Sequence, residues 1–104
     1  SEHSRDIKKR VNAARKIQLE RYKNHHIYSN AQLDAGLLQE FCKLGDTENK
    51  ILKAAFDNLG LSARAHSRIL KVARTIADLE GSQQIEAMHV AEAVQYRTFQ
   101  FDVK

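Results

Sequence analysis

Proline and tryptophan are absent from this chain, and cysteine occurs once, as Cys42. With no proline, nothing in the chain forbids long uninterrupted helices. A single cysteine rules out an intrachain disulfide framework, and the natural compartment for such a chain is the reducing cytoplasm. No apolar run approaches the roughly 20 residues that a membrane span requires, and no basic-then-apolar leader opens the sequence, so neither a membrane partner nor secretion is expected. The chain lacks a G-x-x-x-x-G-K-[ST] phosphate loop, a strand ending in an Asp-Glu pair for Mg²⁺, zinc-spaced Cys/His sets, a Gly-rich dinucleotide loop and internal repeats. It is therefore expected neither to hydrolyse ATP by itself nor to bind a metal.

What remains has the balance of a small globular protein. The 104 residues are 42% hydrophobic and 29% charged, with a net charge of +4. That length allows one core, and residues 1–104 read as a single helical domain with a basic leading helix over 1–24 and a tail over 98–104. The charge is uneven: residues 1–24 carry eight Lys or Arg against three acidic residues, a local net charge of +5. Such a stripe suits nucleic-acid phosphates or an acidic protein surface, and equally a solvated helix face. No aromatic residues interleave these cations, which weakens a single-strand reading.

The chain is organised around Leu61 to Gly81. At about 100° per residue, Ala65, Ile69, Leu70, Val72, Ala73, Ile76, Ala77 and Leu79 form a broad apolar face, while Arg64, Ser67, Arg68, Lys71, Thr75 and Asp78 share the other. Ser62 is the expected N-cap and Gly81 the expected C′ residue. The first turn is unusual: a helix N-terminus favours acidic residues, yet Arg64 sits there with Arg68 one turn above. A phosphate would complete that arrangement, although charge pattern alone favours two solvated arginines.

Four further helices are expected. The first runs from a Ser4 cap to about Lys23, with Ile7, Val11, Ala14 and Tyr22 as its apolar stripe, flanked by Ile17 and Leu19. Arg15, Gln18 and Arg21 lie at the stripe's edge, placed to face a neighbouring domain or plain solvent. Residues 24–36 read as a loop anchored by Ile27 and Tyr28. Asp34 caps a short second helix ending near Leu44-Gly45, and a third starts at Asp46 or Thr47, presents Leu52, Ala55, Phe56 and Leu59, and stops at Gly60. Leu61 and Ser62 alone then separate it from the central helix, which predicts a compact corner. The last helix spans about Ala87 to Arg97, with Ala87, Val90, Ala91 and Val94 inward and Met88 as filler; TFQFDVK is left as a frayed end or short strand. His25 and His26 make a poor metal site, since neighbours on extended chain point apart. His66 reads as a partly buried histidine bonded to a backbone carbonyl, and Cys42 as a buried thiol.

LSARAHSRILKVARTIADL, followed by Ile85, His89, Glu92, Ala93 and Tyr96-Arg97, resembles the C-terminal domain of magnesium-chelatase-like AAA+ ATPases, nearest their competence-protein subgroup. Val11 to Gln18 with Arg21, then Asn30 and Phe41 to Leu44, match in order, so the resemblance spans nearly the whole chain. It implies an all-α fold of about five helices, the lid of an ATPase module. Arg64 then falls where the sensor-2 arginine reaches the γ-phosphate, with Ser62, Arg68 and Arg15 as nucleotide-proximal candidates. ATP and Mg²⁺ would belong to the full-length protein, not to this domain. The implied partners are a preceding nucleotide-binding domain, five further copies in a homohexamer, and DNA. A stand-alone basic nucleic-acid-binding or hexamer-contact module, or the lid of a true magnesium chelatase, are the alternatives.

Overall fold

The computed structural model describes the backbone of residues 3–102 and the side chains of residues 3–96. Helix α1 covers Ser4–Arg21, a 3₁₀ turn covers Asn30–Gln32, and α2 (Ala35–Phe41), α3 (Asp46–Leu59), α4 (Ala63–Leu79) and α5 (Ala87–Asp102) follow, with no strand among the described residues. The all-α, five-helix expectation is met.

Helix α4 lies at the centre. It packs against α5, α1, α2 and the 3₁₀ turn, while α3 leans on α5. Small residues make the tight packing possible: Ala73, Ala77 and Ala93 are fully buried, with Ile69, Leu52, Val90 and Tyr22 filling the space around them. Burial of each such aliphatic side chain stabilises the fold by about 1.5–3 kcal/mol before entropy is subtracted.

Punctuation follows sequence at most helix ends. The Asp34 side chain accepts from Leu37 N–H at 2.9 Å, and Ser62 Oγ accepts from Ala65 N–H at 3.2 Å. Gly60 (φ 63°) and Gly81 (φ 74°) take the left-handed conformation that ends α3 and α4. Beyond Gly81, Ser82 N–H returns to the Ala77 carbonyl at 2.8 Å, the long bond of a Schellman end. Gly60, Leu61 and Ser62 alone join α3 to α4, a connection as short as expected with Gly60 as the stop of α3.

Several expectations shift. His3 rather than Ser4 precedes the first turn of α1, and it makes no side-chain cap bond. Tyr28 is 70% exposed and anchors nothing; Tyr22 and Leu33 do that work, with Ile27 packed at the edge. Leu59 and Met88 are exposed, and α5 buries His89, Val90 and Ala93 rather than Ala91. The helix of α5 continues through Asp102, so no strand forms there among the described residues, and the last two residues of the expected tail lie outside them. No glycine or proline lies between Ala87 and Lys104 to stop it.

Two glycines give opposite expected outcomes. Gly60→Ala forces a Cβ into left-handed backbone and should lower stability by about 1–2 kcal/mol. Gly36→Ala sits in a helix where the added Cβ meets only Asp34 Oδ1 at 3.7 Å, and should raise stability by up to about 1 kcal/mol. Thermal melts followed by circular dichroism check both, at about 4–8 °C per kcal/mol for a domain of this size.

Candidate functional site

The basic residues of α4 divide into two sets. Arg74, near the C-terminal half, is 4% exposed, and both of its terminal nitrogens are engaged in the fold, while its buried Nε has no hydrogen-bond partner among the described residues. Its Nη1 donates to the Gln83 carbonyl at 3.1 Å and its Nη2 to the Ser82 carbonyl at 2.8 Å, tying down the loop after α4. Arg64 and Arg68, at the other end, are exposed and make no hydrogen bond or ion pair with the described residues.

The buried set centres on Asp78, which was expected on the polar outer face and is instead 2% exposed. The buried arc of α4 runs from Ala65 through Leu70 to Arg74 and Asp78, past the edge of the apolar face, while Val72, Ile76 and Leu79 are only half-buried. The cause is α1 and the 3₁₀ turn, which cover that flank with polar side chains. Arg21 grips Asp78 with two bonds, Nη2 to Oδ1 at 2.6 Å and Nη1 to Oδ2 at 2.9 Å. Arg74 approaches Oδ1 at 3.2 Å, and Asn30 Nδ2 donates to Oδ2 at 3.0 Å. Asn30 also donates to Thr75 Oγ1, accepts from the Tyr22 hydroxyl at 2.5 Å, and gives its backbone N–H to Gln18 Oε1 at 3.0 Å. Burial opposes the charge on Arg21, but bonding to Asp78 outweighs it and raises its affinity for the proton above the ordinary value. Burial likewise raises the Tyr22 phenol above its ordinary value. Gln18 and Arg21, read as edge residues facing a neighbour or solvent, thus turn inward and hold the fold.

His89 was noted only as part of a family pattern. It is 1% exposed, its Nδ1 accepts from Glu86 N–H at 2.9 Å, and its Nε2 lies 2.9 Å from Glu80 Oε1. An accepting Nδ1 places the proton on Nε2, which donates to the carboxylate. The ring stands three residues into α5 and reaches back to the residue before the helix, as Glu does in a capping box.

The free set is plain geometry. Ser62 caps α4, and Arg64 stands in a first turn that contains no acidic residue. The earliest N–H groups of any helix have no intrahelical acceptor, so guanidinium and backbone donors there share one end. Arg68 borders a groove of about 470 Å³ with Lys71, Val72, Thr75, Ile76, Tyr96 and Ala31, which Arg64 does not line. Arg15 is exposed on α1, also without a hydrogen bond or ion pair to the described residues. Ser62, Arg64 and Arg68 therefore share one end of α4, and Arg15 belongs to another helix. His66 is half-buried with its ring edge-on to Phe56 at 5.9 Å, in place of the expected carbonyl partner. His25 meets Phe41 edge-on at 5.2 Å, and His26 takes the left-handed conformation (φ 59°) in the turn after α1. No three His, Cys, Asp or Glu among the described residues come together as a metal site, and no helix there is long and apolar enough to cross a membrane.

The described residues thus form an all-helical bundle with one capped, basic helix start left free. Residues 1–97 match the family described as magnesium chelatase, subunit ChlI C-terminal, and the chain belongs to that family. It is 46% identical to competence protein ComM of Haemophilus influenzae and 45% identical to the uncharacterised protein YifB of Escherichia coli, each over 92% of this chain. An uncharacterised Mycobacterium tuberculosis protein is 30% identical over the same share. The chain spans 18% of the length of the Haemophilus and Escherichia relatives.

Two measurements separate the buried set from the free one. Asp78→Ala leaves the buried Arg74 and the half-buried Arg21 without their carboxylate and should cost about 3–5 kcal/mol, whereas Arg64→Ala should change stability by less than about 0.5 kcal/mol; urea unfolding of both variants checks this. Burial pushes the Cys42 thiol up to about 11 from its usual 9.0. The unfolded thiol therefore loses its proton first, and stability should fall as pH rises from about 9 through 11. Cys42→Ala should remove that part of the pH dependence, as denaturant titrations at stepped pH would record.

Proposed function

We propose that this domain is the helical lid of a magnesium-chelatase-like AAA+ ATPase, and that Arg64 serves as its sensor-2 arginine. On this reading the preceding domain binds ATP, the lid closes over it, and nucleotide state is coupled to domain motion. The observation that carries the reading is the free Arg64 guanidinium on a first turn with no acidic residue, while Arg21 and Arg74 are consumed by the fold. A γ-phosphate fits that end of α4: a planar fork of donors and unpaired backbone N–H groups suit its oxygens. Charge developing on those oxygens during transfer would be stabilised by a guanidinium already in place. Mg²⁺ has no ligand set among the described residues, so the preceding domain would have to hold it.

The lid alone then contributes one contact and neither hydrolyses ATP nor binds it tightly, because no loop of backbone N–H groups cradles the other phosphates. The full protein would act in the cytoplasm as a homohexamer. The name of the Haemophilus relative, a competence protein, supports DNA processing as the purpose; the family description leaves magnesium insertion by a chelatase as the alternative. A second reading, direct nucleic-acid binding, draws on the exposed Arg5, Lys8, Lys9 and Arg15 along α1. It requires a salt-dependent mobility shift with generic DNA, and absence of retention at low salt would sink it.

In the full-length ATPase, Arg64→Ala should lower turnover by on the order of 10³-fold while the melting temperature stays within a degree or two. Arg64→Lys should recover little if the contact is bidentate. Arg68→Ala, farther from the helix start, should hurt less. Normal ATPase rates in a folded Arg64→Ala enzyme would remove the sensor role, and a larger defect in Arg68→Ala would transfer it to that residue.

A further inference from the structure

The buried side chains of helix α1 lie in its C-terminal half. Residues 3–10 are all exposed, its buried side chains are Ala14 and Gln18, and α4 is the helix it chiefly packs against. Its contacts with α4 help set the direction in which α1 leaves the bundle. Among them the Arg21–Asp78 pair is the most directional, because two parallel bonds of 2.6 and 2.9 Å between planar groups fix an angle as well as a distance.

We infer that Arg21 and Asp78 are positioning residues, setting the angle between α1 and α4 and thereby the place of Arg64 relative to whatever precedes α1. The inference rests on the lid reading. Lever arms give it force. From Arg21 back to Ser4 is 17 residues, about 26 Å of helix, so a 10° change in docking moves the far end of α1 by about 4–5 Å. Arg64 is 14 residues from Asp78 along α4, about 21 Å, and the same rotation displaces it by about 4 Å relative to α1. A misplacement of about 1 Å at a reacting centre can cost about 100-fold in rate.

Asp78 also has partners besides Arg21. Arg74 stands 3.2 Å from Oδ1, and Asn30 donates to Oδ2. Arg21 itself retains 15% side-chain exposure at the edge of the cluster. Removing Arg21 therefore releases the angle without orphaning a buried carboxylate, which makes it the residue to test.

The experiment uses the full-length ATPase carrying Arg21→Gln, with Arg64→Ala as reference. Turnover should fall tenfold or more with the KM for ATP changed far less, and helical circular dichroism should persist. Spin labels at position 8 on α1 and position 63 on α4, with Cys42 replaced by alanine, should give a narrow distance distribution in the parent and a broad one in Arg21→Gln. Arg21→Lys keeps the charge without the fork and should fall between; it also serves should Arg21→Gln fail to fold. An unchanged distribution, or a broadened one with normal turnover, overturns the inference. If Arg64→Ala abolishes turnover while Arg21→Gln does not, the positioning role alone fails. If Arg64→Ala is fully active, the lid reading fails and takes this inference with it.

Discussion

A buried carboxylate imposes the strictest condition on this fold. Asp78 has lost its water, and a charge in that position is tolerated only with its oxygens surrounded by donors. Satisfying it recruits residues from three separate parts of the chain: Arg21 from α1, Asn30 from the 3₁₀ turn, and Arg74 from α4 itself. Hydrophobic contact would hold α1 against α4 at many angles, whereas these bonds accept one. The apolar core supplies most of the favourable free energy, and the polar cluster selects the arrangement in which it is gained.

Around that cluster the helix ends are each closed by a local device. Gly60 and Gly81 turn the chain out of α3 and α4, Ser62 and Asp34 receive the first free N–H groups of α4 and α2, and His89 does the same for the start of α5. The His89 ring joins two ends at once, since its other nitrogen meets Glu80 at the close of α4. Arg74 reaches the same loop through two carbonyls. The segment between α4 and α5 is thus held from both sides, and α4 is fixed along most of its length except at its start.

That exception is the feature on which the proposed function draws. At the N-terminal turn of α4 the fold uses Ser62 and the Ala65 side of the helix and leaves Arg64 free. A rigid helix with unengaged guanidinia at its start can present charge at a defined place. The Haemophilus and Escherichia relatives that the chain matches are several times its length.

The helix count, the caps at Asp34 and Ser62, and the stops at Gly60 and Gly81 were legible in the sequence, because caps and left-handed glycines are decided by neighbours within four residues. The basic tip of α4 was legible for the same reason, as was the buried Cys42 in its apolar surroundings. Which flank of α4 faces inward was not. Periodicity gave Asp78 to solvent, and only the covering of that flank by Arg21 and Asn30, residues 57 and 48 positions away, reversed it. The Arg74–Asp78 spacing of four was the one local hint of a pair. Tyr22 displaced Tyr28 as the anchor, and Ala93 displaced Ala91, by the same cause: an amphipathic pattern fixes which residues can be buried together, but the rotation of each helix about its axis is settled by the partners it meets. Sequence determined where helices begin and end here, and tertiary contact decided which way they face.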